Sequence, residues 1–547
     1  MNIEKKITII DSLDHSKKYR IIFLIGLVIA ALTIRLFILP YDVPFFNDSQ
    51  AYFWYAIDTS ILKNFPMGHS LTNNGWPILV SGIFQFVNSN NFLDYQNVQR
   101  TTGIFFSVVT IFPVYLLCTR FFKKSYSLLG ATLFAFEPRI IQNSSLGTPE
   151  SLYIFLIAAL LALFLSNNFK KIYLAFLIVG LVSLVRYEGL LMIIPLSVVF
   201  FIRFRTKKIQ LIKYLICIGV LLLIVIPIAY VKTDTMGKDG FVSHIAAGPG
   251  YYQMSIEENS SALNNFIENG VYNLGKYLGW IQIPFYIAFV PLGILLFFKN
   301  IDYKKMTIII AAAMILIPAF YAYSRDFSET KYLFALFPIF SLVACFSFKK
   351  IFELSNQKNL IFVLIVTMIV ISSIIFVDWK SIDNEHYRET FKIMSEISDK
   401  KMTISTDFGK YGGEITYIHW TRLHNVEDFP ILRSNVPETP IKYVKLQYLD
   451  EDKEIKSEYI DKTKINTFDE YLMLLKNQNI SHLLIDEKNI IRLINDNLRK
   501  ELVYVFHNEQ EFPFLTKEYD SRENGYTYHL KLFKINYELL ENIQIKE

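Results

Sequence analysis

Between residues 21 and 377 the chain is a succession of apolar runs of near bilayer length, separated by short loops in which Lys and Arg collect. A hydrocarbon core about 30 Å thick needs roughly 20 apolar residues per helical crossing. The repetition therefore predicts a multi-pass α-helical membrane protein. From 378 to 547 the charge becomes mixed, as in a soluble domain. Two parts follow from that shift: a transmembrane domain over 1–377 and a soluble α/β domain over 378–547.

The first run, 21–39, follows Lys5, Lys6, Lys17, Lys18 and Arg20 and has no small-residue cleavage site. It reads as an uncleaved first helix with a cytoplasmic start. Further helices are expected near 101–119, 126–142, 149–167, 171–186, 188–203, 212–231, 281–298, 306–323, 331–348 and 359–377, about eleven crossings in all. Segment 76–88 is too short to cross and is expected to lie along the outer surface. In this register the basic groups Arg120/Lys123/Lys124, Lys170/Lys171, Arg203/Arg205/Lys207/Lys208, Lys299/Lys304/Lys305 and Lys349/Lys350 all fall on the cytoplasmic side. Such loops orient a membrane protein and do not indicate a nucleic-acid partner. The odd number of crossings leaves 378–547 extracytoplasmic, together with a first outer loop, 40–100, and a second, 232–280. The glycines of GKDGFVSHIAAGPGYYQ suggest a mobile segment within the second loop. In 378–547, strands are expected at 401–406, 481–487, 502–507 and 526–535, and helices at 385–398 and 467–478.

The same register sorts the charges. Asp48, Asp58, Arg139, Glu150, Arg186, Glu188, Arg325, Asp326, Glu329 and Lys331 come out at the outer ends of helices or in outer loops. Each has an ordinary explanation. Asp48 can cap the aromatic segment SQAYFWYAIDTS, Glu150 suits a first helical turn behind Thr148 and Pro149, and Arg186 can pair with Glu188. Residues 325–331 can be a solvated turn. Their recurrence at one end of several helices instead favours a shared site at the outer leaflet. There a carboxylate takes a proton from an acceptor hydroxyl, and Arg or Lys steadies a phosphate leaving group. A transporter or flippase of lipid-linked sugars, the alternative reading, needs polar groups near mid-membrane, where few are seen. Cys118, Cys217 and Cys345 lie inside apolar runs and read as buried hydrophobes.

A resemblance rests on the order of these segments. An N-terminal span is followed by an acidic first loop ending in GWP, then by RTTGIFFSVVTIFPVYLLCTRFF, FAFEPRIIQNSSLGTPESLYIFL, LVRYEGLLMIIPL and ETKYLFALFPIF. This plan resembles the GT-C fold glycosyltransferases over residues 20–350, especially the protein O-mannosyltransferase-like (dolichyl-phosphate-mannose-protein mannosyltransferase) branch and its archaeal members. The resemblance implies a cell-membrane enzyme that transfers a monosaccharide from a polyprenyl (dolichyl) phosphate to a hydroxyl on a protein, lipid or glycan. Transfer would be inverting and extracytoplasmic. Asp48 matches the family's first-loop acidic residue, the general base. Glu150, Arg186, Glu188, Arg325, Lys331, Arg139 and Tyr52 are the candidates for holding substrate. Ser49 stands where the family usually has a second acidic residue, and the WWD-type motif of oligosaccharyltransferases is missing. GT-C enzymes differ in metal dependence, so a divalent Mg or Mn stays open as a cofactor.

Overall fold

The computed structural model describes residues 9–45, 48–63, 73–205, 210–246, 262–325, 327–398, 467–477, 481–487 and 496–544. Among these, seven helices are long and apolar enough to cross a membrane: Lys17–Phe37, Phe92–Cys118, Tyr187–Phe204, Gln210–Asp234, Tyr303–Ser324, Thr330–Leu354 and Lys358–Trp379. Shorter apolar helices run over Gly75–Phe84, Glu150–Phe164 and Tyr286–Phe297. Gly75–Phe84 is the short helix expected near 76–88. Glu150–Phe164 is buried along most of its length, so surrounding protein replaces lipid and the helix need not match the bilayer.

The helix expected at 126–142 is broken. Lys124–Ala135 ends before Glu137, whose carboxylate accepts from the Arg139 backbone N–H, and Pro138 then opens a second short helix, Pro138–Ser144. Proline fits that first-turn position and cannot continue the preceding helix. Two spans begin in tighter 3-10 turns, Tyr187–Met192 and Thr330–Leu336, before relaxing into α-helix.

The segment 232–280 contains a helix that the sequence reading missed, Ala262–Trp280. Its Phe266, Asn273 and Tyr277 meet the span Tyr303–Ser324. Tyr277 stacks on Tyr323 at 4.9 Å, and Asn273 Nδ2 donates to the Tyr323 carbonyl at 3.1 Å. The apolar stripe has helical spacing but is diluted by Asn and Glu, so it lacks the continuous run of a span.

The last apolar helix continues well past the membrane, over Lys358–Ser398, 41 residues. At 1.5 Å per residue that is about 60 Å, roughly twice the hydrocarbon thickness. Its distal part carries a three-stranded antiparallel sheet of β1 (His482–Asp486), β2 (Leu515–Asp520) and β3 (Leu530–Ile535), in the order β1-β3-β2. Ile393 and Ile397 of the long helix pack with Leu484, Leu530 and Leu532 on one face. Helices Phe468–Asn477 and Asp496–His507 cover the other through Leu472, Leu502, Phe506 and Phe533. The strand expected at 502–507 is therefore the end of a helix. Leu498, Leu502, Val505 and Phe506 are buried at helical spacing, and the short apolar run LVYVF concealed that period. β2 was not anticipated, and the expected strand 401–406 lies outside the described residues.

Arg388 on the long helix pairs with Asp42 in the first loop at 3.0 Å. The sheet-bearing end and the first loop thus lie on the same side of the bundle.

Candidate functional site

Asp48 opens the helix Asp48–Leu62. The next turn anchors it, because Phe53, Trp54 and Tyr55 are buried, with Phe53 5.9 Å from the Phe84 ring and Trp54 5.5 Å from the Phe92 ring. These aromatics belong to the core. Tyr52 is buried too, and it lies beside Asp48, Glu150 and Arg186. Burial, then the Glu150 carboxylate, push its hydroxyl well above the ordinary tyrosine range, so it stays a neutral phenol.

The Asp48 side chain is 62% exposed and accepts from Lys331 Nζ at 2.6 Å. Lys331 also meets Glu329 at 2.5 Å. An exposed pair of this kind contributes about 0.2–1 kcal/mol, so stability is a weak reason for it. The 3-10 turn Thr330–Leu336 packs on the helix Glu150–Phe164. The next residue, Tyr332, places its ring 5.7 Å from the Arg186 guanidinium.

Arg186 lies between two carboxylates. It ends the helix Phe169–Val185 in an extended conformation, which swings its side chain across to Glu150 at 2.9 Å and Glu188 at 2.8 Å. Tyr153 packs on it at 5.6 Å. Arg186 and Glu150 are 9% and 4% exposed, so this is a buried triad, in which loss of one partner typically costs about 3–5 kcal/mol. The second oxygens of Glu150 and Glu188 are buried and have no hydrogen-bond partner among the described residues.

Three polar residues that the sequence did not single out hold these pieces in place. Gln99 Nε2 donates to the Gly147 carbonyl at 2.6 Å and reaches the Ser49 carbonyl at 3.4 Å, joining the starts of the Asp48 and Glu150 helices. Trp76 Nε1 donates to the same Gly147 carbonyl at 2.8 Å. Gly147 has φ +72°, a left-handed turn that a side chain would disfavour. Asn73 Oδ1 accepts from the Tyr187 backbone N–H at 3.1 Å, tying the first loop to the Arg186 turn. Tyr187 in turn meets His244 from the second outer loop at 5.4 Å. Only the GWP motif hinted at any of this, because the contacts join residues tens of positions apart.

Not every candidate joins the cluster. Arg139 pairs with Glu137 at 3.3 Å, donates to the carbonyls of Trp280 and Ile283, and lies over Phe376 at 4.9 Å. It fastens the short helix Pro138–Ser144 to its neighbours. Arg325 is exposed and contacts the rings of Tyr321 and Phe327. Asp326 lies outside the described residues. Arg35, near the end of the first span, is buried and donates to Ser107 Oγ at 3.0 Å and to the Ala31 and Ala135 carbonyls. Among the described residues no group of three or more His, Cys, Asp and Glu side chains is placed to hold a metal ion.

The comparisons agree with this architecture. Residues 92–230 match the dolichyl-phosphate-mannose-protein mannosyltransferase family, a quarter of the chain that includes Glu150, Arg186 and Glu188. No curated protein matches the sequence. Among solved structures, the chain is similar to the Archaeoglobus fulgidus oligosaccharyltransferase AglB in complex with an inhibitory peptide and a dolichol-phosphate. The TM-score is 0.52 at 12% identity, covering 86% of this chain and 70% of that one. The oligosaccharyltransferase of the same organism in complex with Zn and sulfate matches with a TM-score of 0.52 at 14% identity, over 84% of this chain and 68% of that one. ArnT from Cupriavidus metallidurans, bound to undecaprenyl phosphate, matches with a TM-score of 0.53 at 9% identity, over 95% and 98% of the two chains. At these identities the likeness speaks for the fold, which makes this chain a multi-pass membrane protein of the GT-C glycosyltransferase fold.

Proposed function

We propose that this chain is a membrane glycosyltransferase that moves a monosaccharide from a polyprenyl phosphate to a hydroxyl acceptor on the extracytoplasmic face. The observation that carries the reading is the Lys331–Asp48 contact, which joins the first loop to a turn 283 residues later, beside the Arg186 triad. A carboxylate and an ammonium held at the end of a helical bundle match the two needs of the reaction: a base for the acceptor and a cation for the leaving phosphate. Two solved structures of similar fold hold a polyprenyl phosphate, which supports a donor of that class.

In the proposed step the acceptor oxygen attacks the anomeric carbon from the face opposite the phosphate. Its proton passes to Asp48, the carbon–oxygen bond to phosphate breaks, and the phosphate departs with the electron pair, which inverts the configuration. Lys331 suits the phosphate better than Arg186, because its side chain is 23% exposed whereas that of Arg186, 11% exposed, is enclosed by Glu150 and Glu188. Arg186 is better understood as the organiser of those two carboxylates, and exposed Arg325 as a rim cation. Protein, lipid and glycan acceptors all satisfy this chemistry.

The test is transfer by the purified protein from a panel of polyprenyl-phosphate sugars, run with and without a chelator. Asp48→Asn is expected to lower turnover by 10²-fold or more, the scale of a lost general base. Its thermal unfolding should change little, because the pair it breaks is exposed. Full turnover in the variant removes Asp48 from the mechanism.

A further inference from the structure

The site is over-supplied with carboxylate. Among the described residues, Asp48, Glu150, Glu188 and Glu329 pair with Arg186 and Lys331, a formal excess of two negative charges. Each of Glu150 and Glu188 spends one oxygen on Arg186 and leaves the other buried with no partner among the described residues. Glu150 is 4% exposed, so bulk water does not satisfy that atom. Thr148 Oγ1, two residues away, is a third buried polar atom without a partner among the described residues. Buried acceptors are nearly always paired in folded proteins, and a group of unpaired ones around a single arginine marks the place of a donor-rich ligand.

We propose that Glu150 and Glu188 form a subsite for the sugar ring, in which their free oxygens accept hydrogen bonds from two ring hydroxyls, and which rejects sugars bearing a carboxylate. The assignment of this ring to the transferred sugar rests on the glycosyltransferase reading. Arg186 prevents either carboxylate from turning away, so the two acceptors are fixed before the ligand arrives. Hydroxyl-to-carboxylate hydrogen bonds are short and roughly twice as strong as neutral ones. Tyr153 and Tyr332, which flank Arg186, close the surroundings with aromatic surface suited to the apolar face of a pyranose. A uronic acid would add a further negative charge to a site already two in excess, where the Arg186 guanidinium is committed to Glu150 and Glu188.

The full chain in lipid nanodiscs provides the test, through ligand-induced shifts in thermal unfolding. The probes are methyl glycosides of neutral hexoses, their 6-carboxylate counterparts and the matching monodeoxy sugars. At least one neutral hexoside should stabilise the protein in a saturable way. Its uronate should not, and removing either engaged hydroxyl should weaken binding about tenfold or more. Glu150→Gln and Glu188→Gln should each weaken the hexoside by a similar factor and narrow its advantage over the uronate, because each removes one charge. The proposal is overturned if no neutral hexoside shifts the protein, if hexoside and uronate act alike, or if both folded variants bind as the parent does. Should a variant fail to fold, the hexoside, uronate and deoxy comparison on the parent protein decides alone. A protein that selects hexosides but transfers nothing would retain the subsite and lose the proposed reaction. Transfer without such selectivity would do the reverse.

Discussion

Asp48 and Arg186 show how differently two charged residues of one site are held. The Asp48–Lys331 pair is exposed on the carboxylate side, so Asp48 can be neutralised at a cost below about 1 kcal/mol. Arg186 is enclosed by two carboxylates and two tyrosines, and its removal leaves Glu150 and Glu188 facing each other without a counter-ion. Arg186→Met is therefore expected to destabilise the protein by about 3–5 kcal/mol. A fall in unfolding temperature well beyond that of Asp48→Asn, measured on the same preparation, is the check. Equal stability of the two variants would show that the triad does not support the fold. At this scale the sequence was informative about residue type and little else. VRYEGL contains the Arg186–Glu188 pair, but that Glu150 completes it depends on two helices meeting.

Among elements, the decisive contact is between the helix Gly75–Phe84 and the end of Phe169–Val185. A Cβ at Gly75 would lie 2.7 Å from the carbonyl carbon of Leu184, closer than packed atoms approach. Glycine is what allows Asn73 to reach the Tyr187 N–H and so hold the Arg186 turn against the first loop. Gly75→Val should force the two helices apart, with a loss of about 1–3 kcal/mol from overpacking and a larger proportional fall in transfer than in the amount of folded protein. Specific activity per folded molecule equal to the parent's would mean that this contact sets stability alone. The short helices of the bundle follow the same logic. Glu150–Phe164 begins and ends inside protein, so a reading based on bilayer length overestimates it, and Pro138 divides what hydropathy presents as one span.

For the molecule as a whole, the long helix Lys358–Ser398 links the bundle to the C-terminal sheet. Glu389 accepts from the Thr527 hydroxyl at 2.6 Å and the Tyr528 N–H at 3.2 Å, and Glu396 accepts from Tyr519 at 2.7 Å and Tyr526 at 2.5 Å. Hydrogen bonding to Glu396 pushes the Tyr526 hydroxyl up to about 12. The sheet carries its own ion pairs, with Lys517 and Lys531 each 2.9 Å from Glu509. Burial alone would raise the Glu509 carboxyl, but hydrogen bonds from Lys531 and Lys517 outweigh it and leave the group below the usual range. A carboxyl depressed on folding adds stability above its unfolded value and loses it as pH falls through the folded one. Amide exchange of β2 and β3 in the full chain should therefore accelerate as pH drops below the ordinary glutamate value of about 4.3. Exchange is compared after correction for intrinsic rates. Glu509→Gln should flatten this acid dependence, and an unchanged profile would assign the acid sensitivity to other groups.

The apolar runs of this sequence determined that it forms helices in a membrane, because a continuous apolar run of that length satisfies its backbone groups there within a single helix, and the break in charge near 378 marked where a different kind of structure begins. The GWP, VRYEGL and ETKYLF segments pointed to the end of the bundle where the charges gather. The tertiary structure alone decided that Lys331 meets Asp48, that Arg139 and Arg35 serve packing, and that Gln99 joins two helix starts. Those outcomes depend on which helices touch and at what height, and hydropathy, which records depth in a bilayer, carries no information about neighbours. The amphipathic helix Ala262–Trp280 and the helix ending at His507 were missed for a related reason. Each buries one stripe against a partner that the linear order does not reveal.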